Sequence, residues 1–198
     1  IWHALAELGF EGGRVLEPGC GSGTFLGLAP ETAQVVGVEL DATSARIARA
    51  LYPQHEVRAE SFAETKYPGG WFDAAVGNVP FGDVSLHDPI DNPHGHSIHN
   101  HFLLKAVRLT RPGGIVATLT SHYTLDAANP AVRRELSRSA DLVGAIRLPT
   151  GAHRRTAGTE ALTDLLILRP REEGRPVPAQ TMPVPQADPE EQRRLTEM

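Results

Sequence analysis

At 198 residues and 40% hydrophobic content, the chain is long enough for one domain with a sizeable core. A net charge of −5 excludes a broadly basic surface, so any nucleic-acid contact needs a local patch or a neighbouring domain. No apolar run approaches the roughly 18 residues of a membrane span, and the one cysteine, Cys20, excludes an internal disulfide and fits a reducing cytoplasm. The start, Ile1-Trp2-His3, has no basic segment of a signal peptide and no Met, so a piece of a longer protein is expected.

Trp2, Leu5 and Leu8 at helical spacing predict a helix end over 2–9, stopped by Gly12-Gly13. A short strand at 14–17 runs into a glycine loop, Pro18-Gly19-Cys20-Gly21-Ser22-Gly23, and a helix opens at 24–28. Residues 34–39 read as a second strand, 43–51 as a helix, 55–58 as a short third strand and 72–77 as a fourth. The stretch 83–96, rich in Pro, His and Asp, reads as a polar loop. Residues 97–110 form an amphipathic helix, 111–114 a turn and 115–119 a fifth strand. A helix over 130–139 with Pro130 in its first turn precedes two closing strands at 142–148 and 162–168. Residues 1–169 thus make one domain, and 170–198 a polar linker or tail rich in Pro, Arg and Glu. Alternating strands and helices predict a doubly wound α/β fold, a mostly parallel seven-stranded sheet with helices on both faces. Ligands of such sheets bind at the carboxyl ends of the strands, and the glycine loop and Asn78-Val79-Pro80-Phe81 both follow strands directly.

Gly19, Gly21 and Gly23 allow a tight turn and a close approach of backbone to ligand. The spacing is not the dinucleotide fingerprint, whose third Gly is replaced by Thr24, and no Gly-Lys-Ser or Gly-Lys-Thr of a phosphate loop is present. Glu17 would repel a pyrophosphate but can pair with a cation; it could equally order the loop. Glu39, about 20 residues on, can accept both hydroxyls of a ribose, unless it is only a solvated strand end. Cys20 reads as a small buried side chain, with no base beside it in sequence. In Asn78-Val79-Pro80-Phe81, Asn and Pro are ordinary turn residues. The alternative is chemical. An amine on an aromatic ring is a poor nucleophile because its lone pair is delocalised. An Asn oxygen and a neighbouring backbone carbonyl, aimed at its two hydrogens, favour a localised lone pair. An aromatic ring stacks on the base, and positioning does the rest.

Val15-Leu16-Glu17-Pro18-Gly19-Cys20-Gly21-Ser22-Gly23 and Val36-Gly37-Val38-Glu39-Leu40-Asp41 resemble the first two motifs of S-adenosylmethionine-dependent methyltransferases, the Rossmann-like class I fold. The resemblance implies that the glycine loop packs against the methionine part of the cofactor, that Glu39 holds the ribose with Leu40 beside it, and that Glu60 or Ser61 meets its adenine. Asn78-Val79-Pro80-Phe81 resembles the Asn-Pro-Pro-Tyr/Phe motif of amino methyltransferases acting on adenine. Val79 replaces the first Pro, which leaves the backbone carbonyl but implies looser pre-organisation. The stretch from about 14 to 169 is similar to adenine-specific DNA methylase domains found beside helicase domains in large plasmid and phage proteins. Residues 96–102 and 148–155 carry that closer likeness, and 111–117 resemble the turn and fifth strand of the same fold. It implies S-adenosylmethionine as cofactor, a flipped adenine in DNA as acceptor, and covalently linked helicase or other domains as partners. RNA bases, protein glutamine, or a role as a non-catalytic cofactor- or DNA-binding module are the alternatives. The helix that leads into the first strand in this family is largely missing at Ile1.

His87, His94, His96, His99 and His101 crowd one stretch, but without a zinc spacing or a Cys among them. No metal is expected; a polar loop, or contacts to a flipped base or DNA backbone, are the readings. Lys105, Arg108 and Arg111 complement a helix dipole. Arg147, His153, Arg154 and Arg155 are candidates for phosphate contacts. Duplex adenine must be flipped out to reach such a site, and the tail after Pro170 is too short to read a target sequence.

Overall fold

The structure is a computed structural model in which residues 1–149 and 161–172 are described. Strands β1 (Gly13–Pro18), β2 (Ala33–Glu39), β3 (Glu56–Ala59), β4 (Phe72–Asn78), β5 (Thr110–Ser121), β6 (Ala140–Arg147) and β7 (Thr163–Pro170) form one seven-stranded sheet. Their order is β3-β2-β1-β4-β5-β7-β6, with β7 antiparallel to both neighbours and the other pairs parallel. Helices α1 (Trp2–Glu7) and α2 (Ala42–Leu51) cover one face, and α3 (Ile98–Leu109) and α5 (Ala131–Ser139) cover the other, with a one-turn α4 (Tyr123–Asp126) after β5. The expected α/β architecture is present.

Alternation along each central strand divides the core. Val15, Val35, Ala74 and Ala117 pack with Leu5, Ala45 and Ala48 on one face. Leu16, Val36, Ala75 and Val116 pack with Leu103, Val107 and Leu136 on the other. Strands buried on both faces read as near-continuous apolar runs. The parallel register puts Pro18, Glu39 and Asn78 at one edge of the sheet. The chain reverses direction across the sheet between β1 and β4, which opens a crevice at that edge.

Four elements differ from expectation. The helix at 24–28 is a 3-10 turn, Leu26–Leu28. Gly23 and Gly27 weaken a helix there and Pro30 ends it. Residues 111–114 are looped out within β5, since Phe72 pairs with Thr110 but Ala74 with Ile115; Pro112 cannot donate to a ladder. The folded part passes the boundary at 169: Pro170 pairs with Ala140, and Arg171 bonds to Asp141, Ser137 and Ala140. The rest of the expected tail lies outside the described residues, apart from Glu172.

The fourth difference is the largest. Helix α3 is buried nearly all round, including His101 and Lys105, because the polar loop 83–96 covers its outer face. Lys105 does not serve the helix dipole. Its Nζ donates to Asp88 Oδ2 at 2.8 Å and lies 3.5 Å from Asp91, while His101 Nε2 is 3.0 Å from the same Asp88 oxygen. Arg108 closes the set with a two-point contact to Asp91. Burial alone would raise the Asp88 carboxyl, but Lys105, the Asp91 amide and His101 outweigh it and hold it at about 2. Asn92 folds the loop on itself through Ser85, Leu86 and His96. Arg111 likewise is paired, with Asp73 at 2.8 Å.

Candidate active site

Two cavities open at the carboxyl edge of the sheet. The first, about 300 Å³, is lined by Gly19, Glu39, Leu40, Glu60, Ser61 and Asn78, with Phe62 and Phe102 at its apolar wall. Six of the expected cofactor residues therefore share one space. Gly21, Gly23 and Glu17, also expected at the cofactor, are not among its lining residues.

Gly19 has φ +72°, and a Cβ there would lie 3.3 Å from Pro80 Cδ and 4.0 Å from the Asn78 carbonyl oxygen. The glycine loop and the Asn78 tetrapeptide thus touch, and a side chain at 19 would push them apart. Glu39 is the loop's anchor: one carboxylate oxygen accepts from Gly21 N–H at 2.8 Å, the other from Asp41 N–H at 2.8 Å. Each oxygen keeps a lone pair, so the ribose role is compatible with this anchoring. Asp41 in turn caps α2 by accepting from Ser44 N–H at 2.7 Å.

Glu17 is 2% exposed, and its Oε2 has no hydrogen-bond partner. Burial drives its carboxyl up to about 8, opposed by the amides of Phe25 and Leu26 and aided by the charge of Glu39. A buried carboxylate with an orphan oxygen fits a cationic group, and so the amino group of a methionine-type cofactor. Cys20 is inert: burial, then Glu17 and Glu39, push its thiol up to about 12. Glu60 and Ser61 both line the cavity; the Glu60 carboxylate accepts from the Thr65 hydroxyl at 2.9 Å.

The second cavity, about 710 Å³, lies on the other side of the tetrapeptide and is lined by Phe81, Asp83, Ser97, His99, Asn100 and Tyr123, among others. Phe81 belongs to this cavity and Asn78 to the first. Between them, Val79 is 1% exposed and its N–H donates to the Leu119 carbonyl at 3.0 Å. Proline could not make that bond, so the looser pre-organisation expected at 79 is offset by packing and by the sheet. Sequence reasoning missed the polar walls of this cavity. The available signal was Thr118, Thr120 and Ser121, small polar residues closing an otherwise apolar strand on the functional edge, of which Ser121 lines the cavity.

Arg147 is not available for a phosphate. It makes a two-point contact with Asp164 at 2.9 and 3.0 Å and a third with Asp126 at 2.9 Å, which raise its pKa further above its usual value. His153, Arg154 and Arg155 lie outside the described residues. Among the described histidines, His96 meets Glu135, His101 meets Asp88 and His99 meets Ser97. Among the described residues, no group of three His, Cys, Asp or Glu could hold a metal ion, and no helix is long and apolar enough to cross a membrane.

Residues 16–118 match the family described as a methyltransferase domain. The chain is 30% identical over 174 residues to the defense against restriction protein B of Escherichia phage P1, covering 85% of this chain and 8% of the phage protein. It is 31% identical over 130 residues to the rRNA N(6)-adenosine-methyltransferase metl-5 of Caenorhabditis elegans, covering 60% of this chain and 56% of that enzyme. The chain therefore spans only part of both curated relatives. In fold it is similar to the methyltransferase subunit of a type I restriction-modification system from Streptococcus thermophilus, with a TM-score of 0.68, 18% identity, and coverage of 85% of this chain and 42% of that one.

Proposed function

From a chain that belongs to the methyltransferase domain family and has the S-adenosylmethionine-dependent class I fold, we propose a domain that methylates the exocyclic amino group of adenine in DNA. The observation that carries the reading is that one tetrapeptide lines both cavities, Asn78 facing the cofactor side and Phe81 the other. When bound, S-adenosylmethionine supplies a methyl group on a sulfonium, which leaves as a neutral thioether. The residues of the chain do the rest by position. Glu17 holds the cationic amine, Glu39 the ribose hydroxyls, and Glu60 or Ser61 the cofactor's adenine edge, with Leu40 against it. Asn78 Oδ1 and the Val79 carbonyl accept the two amino hydrogens of the acceptor base, which localises the nitrogen lone pair toward the methyl group. Phe81 stacks on the base, and Pro80 presses on Gly19, which keeps the two sites in register. The surplus proton leaves after transfer, so no strong base is required.

DNA is preferred because the phage relative, which covers most of this chain, is named for defense against restriction, and because flipping presents a single adenine to such a pocket. The small share of that phage protein matched here also supports a domain carried in a larger protein, with helicase or other modules attached. RNA adenine is the second reading, favoured by the name of the nematode relative. The test is incubation with methyl-labelled cofactor and equal amounts of mixed-sequence DNA and ribosomal RNA, then nucleoside analysis. Label in N6-methyladenine of DNA is expected. Label confined to RNA would move the acceptor, and cofactor binding without transfer to either would leave only a binding module.

A further inference from the structure

The second cavity carries aromatic surface beyond Phe81. His122, the N-cap of α4, and Tyr123, its first residue, both line it. Their rings pack together with centroids 4.0 Å apart and planes inclined at 36°. His122 thus backs one face of the Tyr123 ring, while 60% of Tyr123 stays exposed. The methyl-transfer chemistry does not use this surface. The pair is firmly held. His122 Nδ1 lies 3.1 Å from the Leu162 carbonyl oxygen, which can only accept, so Nδ1 donates and the ring is fixed. The His122 amide donates to the same oxygen at 3.2 Å. Thr124, next in the chain, is buried, and its hydroxyl donates to Asn100 Oδ1 at 3.0 Å. Asp126 meets Arg147 of β6 at 2.9 Å. An exposed aromatic ring is therefore presented from a turn anchored at three points.

The space exceeds what one base fills. At about 710 Å³ this cavity is more than twice the first, at about 300 Å³, which faces a nucleoside cofactor larger than a base. Phe81 stacks one planar group, and Tyr123 offers a second stacking surface in the same space. Among the described lining residues none is Lys or Arg, and Asp83 adds a negative charge. These walls favour the faces of bases over phosphates. Aromatic stacking is how proteins hold unpaired strands with little regard to sequence. A base inside a duplex has both faces covered by its neighbours and offers none to Tyr123.

We propose that Tyr123, backed by His122, is a second base platform: it stacks on the nucleotide next to the acceptor adenine in an unpaired stretch of DNA. The inference rests on the acceptor reading given above and narrows the substrate from DNA to an unpaired strand. In such a strand the adenine reaches Phe81 without the cost of leaving a duplex. Because every base has a π-face, the platform adds affinity without choosing a sequence.

The experiment crosses two variants with altered strands. Wild type, Tyr123→Phe and Tyr123→Ala are assayed for kcat/KM and for cofactor affinity. The substrates are single-stranded oligodeoxynucleotides with one adenine, either intact or with an abasic site on its 5′ or its 3′ side, and the intact strand annealed to its complement. One of the two abasic positions is expected to cost the wild type roughly ten- to a hundredfold, and Tyr123→Ala about the same on the intact strand. The two changes together should cost no more than either alone, because each removes the same contact. Tyr123→Phe should match the wild type, cofactor affinity should be constant throughout, and the duplex should be the poorer substrate. Losses that multiply would mean that Tyr123 acts through the fold and not on a base, and would overturn the platform alone. A wild type that prefers the duplex, or ignores both abasic sites, would do the same. A wild type that binds cofactor but methylates no adenine in any strand would overturn the acceptor reading and this inference with it.

Discussion

The two cavities on either side of Asn78-Val79-Pro80-Phe81 are built by different means. The cofactor side is made by backbone: Glu39 ties the Gly21 and Asp41 amides together, and Gly19 packs on Pro80. The acceptor side is made by side chains in series, Thr120, Thr124, Asn100, Ser97 and His99. Backbone devices suit a ligand that is the same at every turnover. Side-chain relays suit one whose identity must be checked. Glu17, next to the glycine loop in sequence, keeps a buried Oε2 without a hydrogen-bond partner, an acceptor that suits a cation.

The largest effect is expected where the two sides share a wall. Loop 83–96 contributes Leu86 to the cofactor cavity and Asp83 to the acceptor cavity, and Lys105 holds it down through Asp88. Lys105→Met leaves Asp88 and Asp91 buried without that charge and should cost about 3–5 kcal/mol in a denaturation midpoint. Cofactor affinity and transfer rate should fall together; loss of stability with both sites intact would separate the loop from the sites.

Glu17 and Asp88 respond to pH in opposite directions. Asp88 is held at about 2 against 3.8 when unfolded, so its contribution to stability is present above 3.8 and is lost as pH falls toward 2. Glu17 is raised from 4.5 to about 8, so its carboxyl favours the fold most below 4.5 and costs stability as pH rises through 8. The slope in that window is about 1.4 kcal/mol per pH unit at most, and Glu17→Gln should flatten it. Cofactor affinity in the wild type should rise with pH toward 8 as the carboxylate becomes available to pair with the cofactor's amine. Calorimetry showing the same rise in Glu17→Gln would detach Glu17 from the cofactor.

Thr124→Val should act on one side alone. It removes a donor from Asn100 Oδ1, costs about 1–2 kcal/mol, and should raise KM for the acceptor with cofactor affinity unchanged. Val79→Pro, which restores the residue of the resembled motif, should have the smallest effect. It loses the bond to Leu119, worth about 1 kcal/mol, and gains a fixed φ. A large gain in rate would mean that the Val79 backbone is not well held after all.

Most of the fold was legible because the central strands are short apolar runs bounded by Gly, Pro and charged residues, and the lining of the first cavity because those residues follow the strands directly. The 3-10 turn at Leu26–Leu28 was not, since the two glycines before and within it compete with an otherwise helical pattern. The burial of Lys105 and the occupation of Arg147 were invisible for a different reason. Their partners Asp88, Asp126 and Asp164 are 17 or more positions away in sequence, and only the folded chain brings them together. The acceptor relay failed on the same ground: Thr124 and Asn100 meet only once β5 and α3 are packed.

The central claim is that Asn78 joins the two cavities chemically as well as in space. Wild-type chain and Asn78→Ala are incubated with labelled S-adenosylmethionine and mixed-sequence DNA, with cofactor affinity measured alongside. The account predicts labelled N6-methyladenine in the wild type, and in the variant a transfer rate lower by about a hundredfold or more at similar cofactor affinity. Transfer that persists unchanged in Asn78→Ala would contradict it.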